Sequence, residues 1–321
     1  MSDTVFRALD EARNRFGPCA LTIGNFDGVH IGHQALLAQT VEYASTKNLA
    51  PAVLTFDPHP AAVVAPERVP AMICTLDQRL ELLSAAGAKR IFVLPFTAEV
   101  ARLTPEQFVS QILVDVLETQ AVFVGENFRF GHKQAGNPDV LRALGMQHGF
   151  VSQFVEPVSF RGEIVSSSLI RHHLASGNVS RAARFLDRCF FVEGPIVAGH
   201  GVGSKQTVPT LNLRPDPGQL VPRGVYITET IDHARRWPSI TNVGVRPTFG
   251  GDELTIETFL LSPLEGRTPE RIKVEFRRFV RPERQFANPE ALKTQILKDV
   301  ATAQKYWRGV AKLAQPAPSI Y

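Results

Sequence analysis

The feature that most constrains this 321-residue chain is a glycine-rich turn with two histidines, GNFDGVHIGH, at residues 24–33. The apolar run ALTI precedes the turn, and HIGHQALLAQTVEYA continues it with apolar residues at helical spacing. A strand that turns through glycines into a helix is typical of a parallel sheet, because the next parallel strand needs a crossover connection, usually a helix. The chain is therefore expected to begin with an α/β domain.

The rest of the N-terminal half alternates strand and helix patterns. The predicted strands are APAVLTFDPHP, RIFVLPF and AVFVG, and the predicted helices between them are DQRLELLSAAGA and TPEQFVSQILVDVLETQ. Thr104 is expected to cap the second of these helices, with Pro105 at its first position. This alternation predicts a parallel sheet covered by helices on both faces. Polar clusters (GNFDGVH, DPHP and GENFRFG) follow the strands, which is where such sheets bind ligands.

The pattern changes near residue 187. Two helical segments, in SSSLIRHHLASGNVSRAARFL, lead into six short strand-like runs: CFFVEGPIVAG, TVPTLNL, GVYITETI, SITNVGV, ELTIETFLL and IKVEFRRFV. Short, closely spaced strands predict a small antiparallel barrel. Asn288 and Pro289 predict the start of a closing helix, whose apolar stripe is Leu292, Ile296, Val300, Ala303 and Trp307. The predicted domains are residues 1–186 and 187–321.

Composition narrows the class of protein. The chain is 44% hydrophobic and 21% charged, as expected of a globular protein, and two domains of about 150 residues suit its length. No apolar run is long enough for a membrane span, and the charged start MSDTVFRALDEARNRF predicts a cytoplasmic protein. The three cysteines are far apart, so neither disulfides nor a cysteine zinc site is expected.

The formal charge of +4 does not by itself indicate a nucleic-acid partner. Because no basic run interleaved with aromatic residues supports one, nucleic-acid binding is not expected, and anionic small molecules explain the charge equally well. No membrane partner is expected, and the sequence does not predict an oligomeric state.

The turn at residues 24–33 carries the first candidate site. His30 and His33 are three residues apart at a helix start, so both imidazoles share a face next to free N–H groups that attract phosphate. Gly24, Gly28 and Gly32 let the backbone approach a ligand closely. These features predict a phosphate cradle for adenylyl transfer, which needs charge neutralisation and in-line positioning. The alternative is two helix-capping histidines, and a zinc site lacks a third ligand.

Two other segments suit the same site. Ser166, Ser167 and Ser168, followed by Arg171 one turn later, predict a second anion-binding helix start, although an ordinary serine cap is the alternative. In GENFRFG, Phe128 and Phe130 suit a flat ring ligand or, equally, a surface turn with buried rings.

A second candidate site lies in GHGVGSKQTVPTLNL. Gly199, Gly201 and Gly203 permit a run of N–H groups around a phosphate, and Lys205 adds a positive charge. Thr210 and Asn212 supply hard oxygens that suit Mg²⁺. The segment is not a Walker loop, and an ordinary glycine-rich hairpin is the alternative.

Glu257 favours a catalytic interpretation of this half. It shares a strand face with Thr255, Phe259 and Leu261, so it is either exposed or works as a base. A kinase that phosphorylates an alcohol needs such a base or a group that orients the hydroxyl.

The combined motifs resemble the bacterial bifunctional riboflavin kinase/FAD synthetase (FMN adenylyltransferase) family. The first half matches through GNFDGVHIGH, TFDPHP, GENFRFG with a later GN, and SSSLIR; the second matches through GSKQ, PTLN, GVY, NVGVRPTF, IET and VRPERQF. The resemblance implies a Rossmann-like HxGH nucleotidylyltransferase domain followed by an antiparallel β-barrel flavokinase domain with a closing helix. It implies that riboflavin and ATP give FMN, and that FMN and ATP then give FAD and pyrophosphate, with Mg²⁺ as cofactor.

The resemblance also implies residue roles. The catalytic residues would be His30, His33 and Glu257. The residues that bind ATP or its phosphates would be Gly24, Phe26, Gly32, Ser167, Ser168, Arg171, Gly199, Gly203, Lys205 and Thr210. Asn127, Phe128 and Arg281 would contact the flavin, and Thr210 and Asn212 would hold the metal. The chain departs from the family where Ser168, Leu211 and Phe259 replace Thr, Ala and His, and the bulk of Leu211 is expected to crowd a nucleotide.

Three alternatives remain. Another HxGH adenylyltransferase, acting on pantetheine phosphate or a nicotinate nucleotide, would explain HIGH and SSSLIR but leave PTLN and Glu257 without a role. A class I aminoacyl-tRNA synthetase would need a KMSKS partner motif, and none is convincing in this short chain. A flavin- or RNA-binding regulator with inactive sites would bind without turnover.

Overall fold

The structure is a computed structural model that describes residues 4–197, 210–248, 251–264 and 266–314. Contacts divide the chain into two compact units, Met1–Ser167 and Ser168–Tyr321. No helix among the described residues is long and apolar enough to cross a membrane.

The first unit is built on a sheet of six parallel strands in the order β1-β4-β3-β2-β5-β6. The strands are β1 (Thr4–Phe6), β2 (Cys19–Ile23), β3 (Ala50–Asp57), β4 (Arg90–Pro95), β5 (Thr119–Gly125) and β6 (Val151–Val155). The helices are α1 (Leu9–Ala12), α2 (Ile31–Lys47), α3 (Pro60–Val64), α4 (Leu76–Ala85), α5 (Ala98–Arg102), α6 (Pro105–Phe108) and α7 (Pro138–His148). The unit also has the short strands β7 (Ser159–Phe160) and β8 (Glu163–Ile164).

The sheet buries apolar side chains on both faces. Leu21 and Leu54 belong to one core cluster, while Ala20 and Val53, their chain neighbours, belong to another. Because successive strand residues point to opposite faces, both faces must be covered. The predicted parallel α/β architecture is therefore confirmed.

The strand order makes β2 a switch point. The chain passes from β2 through α2 to β3 on one side, whereas β5 pairs with β2 on the other side. Ligand crevices of open α/β sheets form where the strand order reverses in this way. Since β3, β2 and β5 are neighbours, the polar clusters DPHP, GNFDGVH and GENFRFG all lie at the carboxyl edge of the sheet's centre.

The sequence patterns missed parts of this unit. The two edge strands, β1 and β6, were not predicted; β6 exposes or half-exposes four of its five residues, so it lacks the apolar run of a central strand. As predicted, Thr104 caps α6, because its side chain accepts a hydrogen bond from the N–H of Gln107, and Pro105 is the first residue of the helix. The predicted helix then continues as a π-helix over Val109–Val114 rather than as an α-helix.

The second unit is built on a closed barrel of six strands in the order β10-β13-β12-β11-β14-β9. The strands are β9 (Phe190–Val197), β10 (Thr210–Leu213), β11 (Gly224–Asp232), β12 (Arg235–Thr248), β13 (Gly251–Leu260) and β14 (Arg271–Arg281). Helices α8 (Ser167–Ala175) and α9 (Val179–Leu186) precede the barrel, and α10 (Pro289–Ala314) follows it. All six predicted strands and the antiparallel barrel are confirmed.

Hydroxyl groups occupy part of the barrel interior. The hydroxyl oxygen of Thr228 lies 2.9 Å from that of Ser239 and 2.7 Å from that of Thr241. The Thr241 hydroxyl also lies 2.9 Å from the Thr258 hydroxyl, and the Thr230 hydroxyl donates to the Ser239 hydroxyl. All five residues are fully buried, and each hydroxyl has a partner. The network stabilises the barrel because buried polar groups are costly only when they are left unpaired.

The contacts of α9 explain why the compact units divide before the predicted boundary. Val179, Ala182, Phe185 and Leu186 form its buried face, and α9 contacts β14 and β9 of the barrel. The helix is thus part of the second unit by its contacts, although it precedes residue 187. The functional boundary at residue 187 stays a prediction.

The closing helix α10 begins as predicted, since Asn288 Oδ1 accepts from the N–H of Ala291 at 2.8 Å. Val300, Ala303 and Trp307 belong to an apolar cluster with barrel residues, as the predicted stripe requires. Leu292 is an exception, because its side chain is exposed. The stripe therefore contacts the barrel through its C-terminal part.

Candidate functional sites

The first candidate site is the turn between β2 and α2. His30 caps α2, because its Nδ1 accepts the N–H of His33 at 3.3 Å. Phe26 and Val29 have φ values of +50° and +40°, which non-glycine residues rarely adopt. Strained backbone of this kind concentrates at functional sites, where the surrounding structure maintains it.

The two histidine rings lie face to face. The centroids of His30 and His33 are 3.6 Å apart and the rings are inclined by 17°, while the buried ring of Phe26 meets His33 edge-on at 5.1 Å. The predicted common face of the imidazoles is therefore observed. Because Nδ1 of His30 accepts a hydrogen bond, the neutral ring carries its proton on Nε2.

His33 is held neutral. Burial lowers its pKa well below the ordinary value, and the charges of His30 and Arg79 act in the same direction. The buried Nδ1 of His33 has no hydrogen-bond partner in the described part of the chain. A neutral His33 supplies one N–H donor, so it contributes a hydrogen bond rather than a positive charge.

The glycines of the turn lie where the neighbouring side chains leave little room for a Cβ atom. A Cβ on Gly24 would lie 3.3 Å from the Phe26 ring, and one on Gly32 would lie 3.2 Å from the His30 ring. Gly28 has a φ of +82°, and its Cβ would contact Ile73 at 3.0 Å. A side chain at Gly24 or Gly32 would press on the rings that line the turn, and one at Gly28 would press on Ile73.

Ser167 joins the turn from far along the sequence. Its hydroxyl donates to the carbonyl of Asp27 at 2.9 Å, so the first serine of α8 lies against the cradle. The buried Asp27 carboxylate accepts the N–H groups of Ile73 and Cys74 at 2.9 and 3.2 Å. Ser168 and Arg171, on the following part of α8, belong to the second unit, and their predicted phosphate contacts remain a prediction.

The ends of β2 and β3 meet at the same edge. Asn25 Nδ2 lies 3.2 Å from Nε2 of His59, which belongs to DPHP and caps α3. The hydroxyl of Thr55 donates to the carbonyl of Asn25 at 3.3 Å. The sequence marked both loops as polar clusters but assigned no role to Asn25 or His59.

The loop after β5 presents one aromatic face. Phe128 is half-buried and stacks on the buried ring of Phe130, with centroids 5.5 Å apart and an angle of 15°. Asn127 and Arg129 are exposed. Of the two rings considered from the sequence, Phe130 is part of the core and Phe128 is accessible to a ligand.

The second candidate site is a row of polar residues across the barrel. Glu257 on β13 is directly opposite Asn212 on β10 and Asn242 on β12. Opposed residues in an antiparallel sheet have Cβ atoms about 5 Å apart, so the three side chains share one face. All three are half-buried, so Glu257 is neither fully exposed nor in the barrel core. No role for Asn242 follows from the sequence alone, because only the register aligns it with Glu257.

Thr210 lies on the same face of β10 as Asn212. Its hydroxyl oxygen is buried and has no hydrogen-bond partner among the residues that the structure describes. An unpartnered buried hydroxyl is unfavourable unless a ligand completes it. The oxygens of Thr210 and Asn212 therefore fit the hard donors that Mg²⁺ prefers.

Of the departures from the family pattern on these strands, Leu211 lies away from this face, whereas Phe259 shares the face of Glu257 and is directly opposite Thr210. Leu211 is 4% exposed and alternates with Thr210 and Asn212, so its bulk is directed into the barrel interior. The expectation that Leu211 crowds a nucleotide beside Thr210 and Asn212 is therefore not supported. Phe259 is partly buried against the apolar cluster that includes Trp307 of α10.

Arg281 is held by α10. Its Nε and Nη2 donate to Asp299 Oδ2 at 3.0 and 2.8 Å, and both side chains are largely buried. The flavin contact predicted for Arg281 remains a prediction. Gly199, Gly203 and Lys205, predicted to bind phosphates, lie outside the described residues, as does Gly201.

A solved structure from Streptococcus pneumoniae, described as a macrolide-efflux protein, matches this fold with a TM-score of 0.84. The match covers 94% of this chain and 98% of that one at 23% sequence identity. It shows that the two-unit fold is shared, and at this identity it shows the fold alone.

Sequence comparisons identify the family. The FAD synthetase model matches residues 12–169 and the riboflavin kinase model matches residues 186–307. The bifunctional riboflavin kinase/FMN adenylyltransferase of Pseudomonas fluorescens is 35% identical over 93% of this chain and 96% of its own length. The protein of that name from Escherichia coli K12 is 34% identical over 92% and 95% of the two chains. With both models matched and relatives of this identity along nearly its whole length, the chain belongs to the bifunctional riboflavin kinase/FMN adenylyltransferase family.

Proposed function

We propose that the two activities of this enzyme are divided between the two described sites. ATP phosphorylates riboflavin at the barrel, and a second ATP adenylylates the resulting FMN at the N-terminal sheet, with release of pyrophosphate. The observation that carries the adenylyl-transfer assignment is the stacked pair His30 and His33 on the N-terminus of α2, at the sheet's switch point.

At the N-terminal site, the chain would act by positioning and electrostatics. The free N–H groups of α2 and the Nε2–H of His30 would contact the α-phosphate oxygens, with His33 as the second imidazole donor. These contacts stabilise the charge that develops as FMN phosphate attacks and pyrophosphate leaves. Ser167, Ser168 and Arg171 are assigned to ATP phosphates by their sequence pattern. Because the nucleophile is the FMN phosphate itself, no covalent enzyme intermediate is needed.

The flavin ring would lie against Phe128. One face of the Phe128 ring stacks on Phe130. The rest of the half-buried Phe128 ring offers an aromatic surface beside the exposed Asn127. Offset stacking of flat rings contributes about 0.5–1.5 kcal/mol beyond the buried area. Arg281 stays assigned to the flavin by the family resemblance.

At the barrel, Glu257 would orient and deprotonate the ribityl 5′-hydroxyl. Asn212 and Asn242, on either side of it, would bind the same hydroxyl or the phosphate that it attacks. Gly199, Gly203 and Lys205 are assigned to the ATP phosphates by their sequence pattern. Mg²⁺, held by Thr210 and Asn212, would neutralise phosphate charge when bound.

Thr210→Val tests the metal assignment. Because the hydroxyl has no partner among the described residues, its removal should leave the free energy of unfolding unchanged or slightly higher. FMN formation should fall about tenfold or more and need more Mg²⁺. Thr258→Val is the matched control, since it removes a hydrogen-bonded barrel hydroxyl and should lower stability by about 1 kcal/mol. Thr210→Val with wild-type FMN formation and Mg²⁺ dependence would exclude the role.

The activities are tested by incubating the protein with ATP, Mg²⁺ and either riboflavin or FMN, and by separating the flavins. Riboflavin should give FMN and then FAD, whereas FMN should give FAD with one pyrophosphate released per turnover. Adenylylation of pantetheine phosphate or a nicotinate nucleotide, with flavins untouched, would favour a different HxGH transferase. Flavin binding without turnover would favour a regulator with inactive sites.

We also propose that residues 1–186 carry the transferase and residues 187–321 the kinase. A 1–186 fragment should adenylylate added FMN and not phosphorylate riboflavin, because each half has its own core. Such a fragment leaves the apolar face of α9 uncovered, so a shorter fragment ending at Ser176 should be less prone to aggregate. A fragment that is folded but inactive on FMN would show that the transferase requires the barrel.

A further inference from the structure

Arg79 is a buried cation that the proposed mechanism does not use. It lies on α4 with 4% of its surface exposed, and no carboxylate partners it in the described part of the chain. Its Nε is buried and has no hydrogen-bond partner among those residues. A buried charge without a counter-charge is strongly unfavourable, so fold stability does not explain this arrangement.

The contacts of Arg79 lie at the ends of the two strands that form the site. Its Nη1 donates to the carbonyl of Asn25, to the hydroxyl of Thr55 and to the carbonyl of Phe56, each at 3.1 Å. Asn25 follows β2 and the other two belong to β3, so one guanidinium nitrogen joins the two strand ends where the histidine turn begins. Neutral oxygens orient the guanidinium but do not neutralise its charge.

The charge of Arg79 acts on the imidazole pair. After burial and the neighbouring His30, it is the third cause that lowers the pKa of His33. A field that disfavours a positive imidazole also favours an anion at the same place. The adenylyl-transfer site therefore holds a fixed positive potential before substrate binds.

We infer that Arg79 is a positioning residue of the adenylyl-transfer site. It fixes the ends of β2 and β3 where the histidine turn begins and leaves a positive charge that the triphosphate of ATP compensates. This inference rests on the adenylyl-transfer function proposed above.

The test compares Arg79→Met, which removes the charge at similar length, with Arg79→Lys, which retains it. Inorganic pyrophosphate is the probe, with binding measured by calorimetry alongside the ATP KM and kcat of FAD synthesis from FMN. Arg79→Met should weaken pyrophosphate binding and raise the ATP KM about tenfold or more, the scale of one charge acting over several ångströms at an effective dielectric constant of about 20. Arg79→Lys should retain pyrophosphate affinity within about threefold and lose mainly kcat, because a lysine reproduces the charge and not the three-acceptor geometry.

Arg142→Met is the matched control, since it removes an exposed arginine of the same unit. Its pyrophosphate affinity should match that of the wild type, which separates a local effect from a change in net charge. A folded Arg79→Met with wild-type pyrophosphate affinity and ATP KM would overturn the inference. If Arg79→Met does not fold, a folded Arg79→Lys that loses pyrophosphate affinity tenfold would overturn it equally. Wild-type protein that makes no FAD from FMN would instead reject the transferase function itself.

Discussion

Replacing Glu257 with glutamine is expected to stop FMN formation from riboflavin while FAD formation from added FMN continues. A group that removes or orients the hydroxyl proton contributes about 10²- to 10⁴-fold in rate, or roughly 3 to 5 kcal/mol of barrier. Glutamine has nearly the same shape as glutamate, and the half-buried position opposite Asn212 and Asn242 can accommodate an amide. The expected loss therefore comes from the missing carboxylate and not from unfolding.

The measurement quantifies FMN and FAD separately, once with riboflavin as the substrate and once with FMN as the substrate. Glu193→Gln is the matched control: Glu193 is a half-buried carboxylate on barrel strand β9 and lies 3.9 Å from Lys273, away from the polar row. That variant should phosphorylate riboflavin within about twofold of wild type, as most substitutions away from a site do. If Glu257→Gln also phosphorylates riboflavin within a few-fold of wild type, Glu257 is not the base, and Phe259 becomes the first sign of a different kinase mechanism.

Replacing His33 with alanine is expected to reduce FAD formation from FMN about 10²-fold or more, the scale for a donor that acts in the transition state. FMN formation should persist, because that reaction is assigned to the barrel. The low pKa of His33 keeps the ring neutral at and above neutral pH, so the loss should be similar across that range. A constant loss would indicate a missing hydrogen bond, whereas a loss confined to acidic pH would indicate a missing positive charge.

His30 requires a different substitution because it also caps α2. Alanine would remove the cap, which typically costs about 1 kcal/mol of stability, whereas asparagine is among the best capping residues. His30→Asn should therefore fold normally and still lose about 10²-fold in FAD formation. His148→Ala, in the last turn of α7, is the control and should be fully active. If His30→Asn makes FAD at the wild-type rate, His30 only caps α2 and takes no part in the reaction.

Local patterns sufficed for most of the fold. The central strands β2 to β5, the six barrel strands and the caps at Thr104 and Asn288 follow from apolar periodicity, glycine and proline positions and capping residues. These signals act within a few residues and do not depend on the rest of the chain. The edge strands β1 and β6 lack this information, because an edge strand needs fewer apolar residues and its pairing is decided by its neighbour.

The sequence by itself determined which residues could do chemistry: the HIGH turn, the serine helix start, the aromatic loop and Glu257 all stand in recognisable local motifs. Only the tertiary structure decided which residues join them. Barrel register puts Asn242 beside Glu257, strand order brings three polar loops to one edge, and Arg79 reaches two strand ends from a separate helix. Such contacts join residues far apart in the chain, and they form only when the packing of whole elements fixes the register and the strand order.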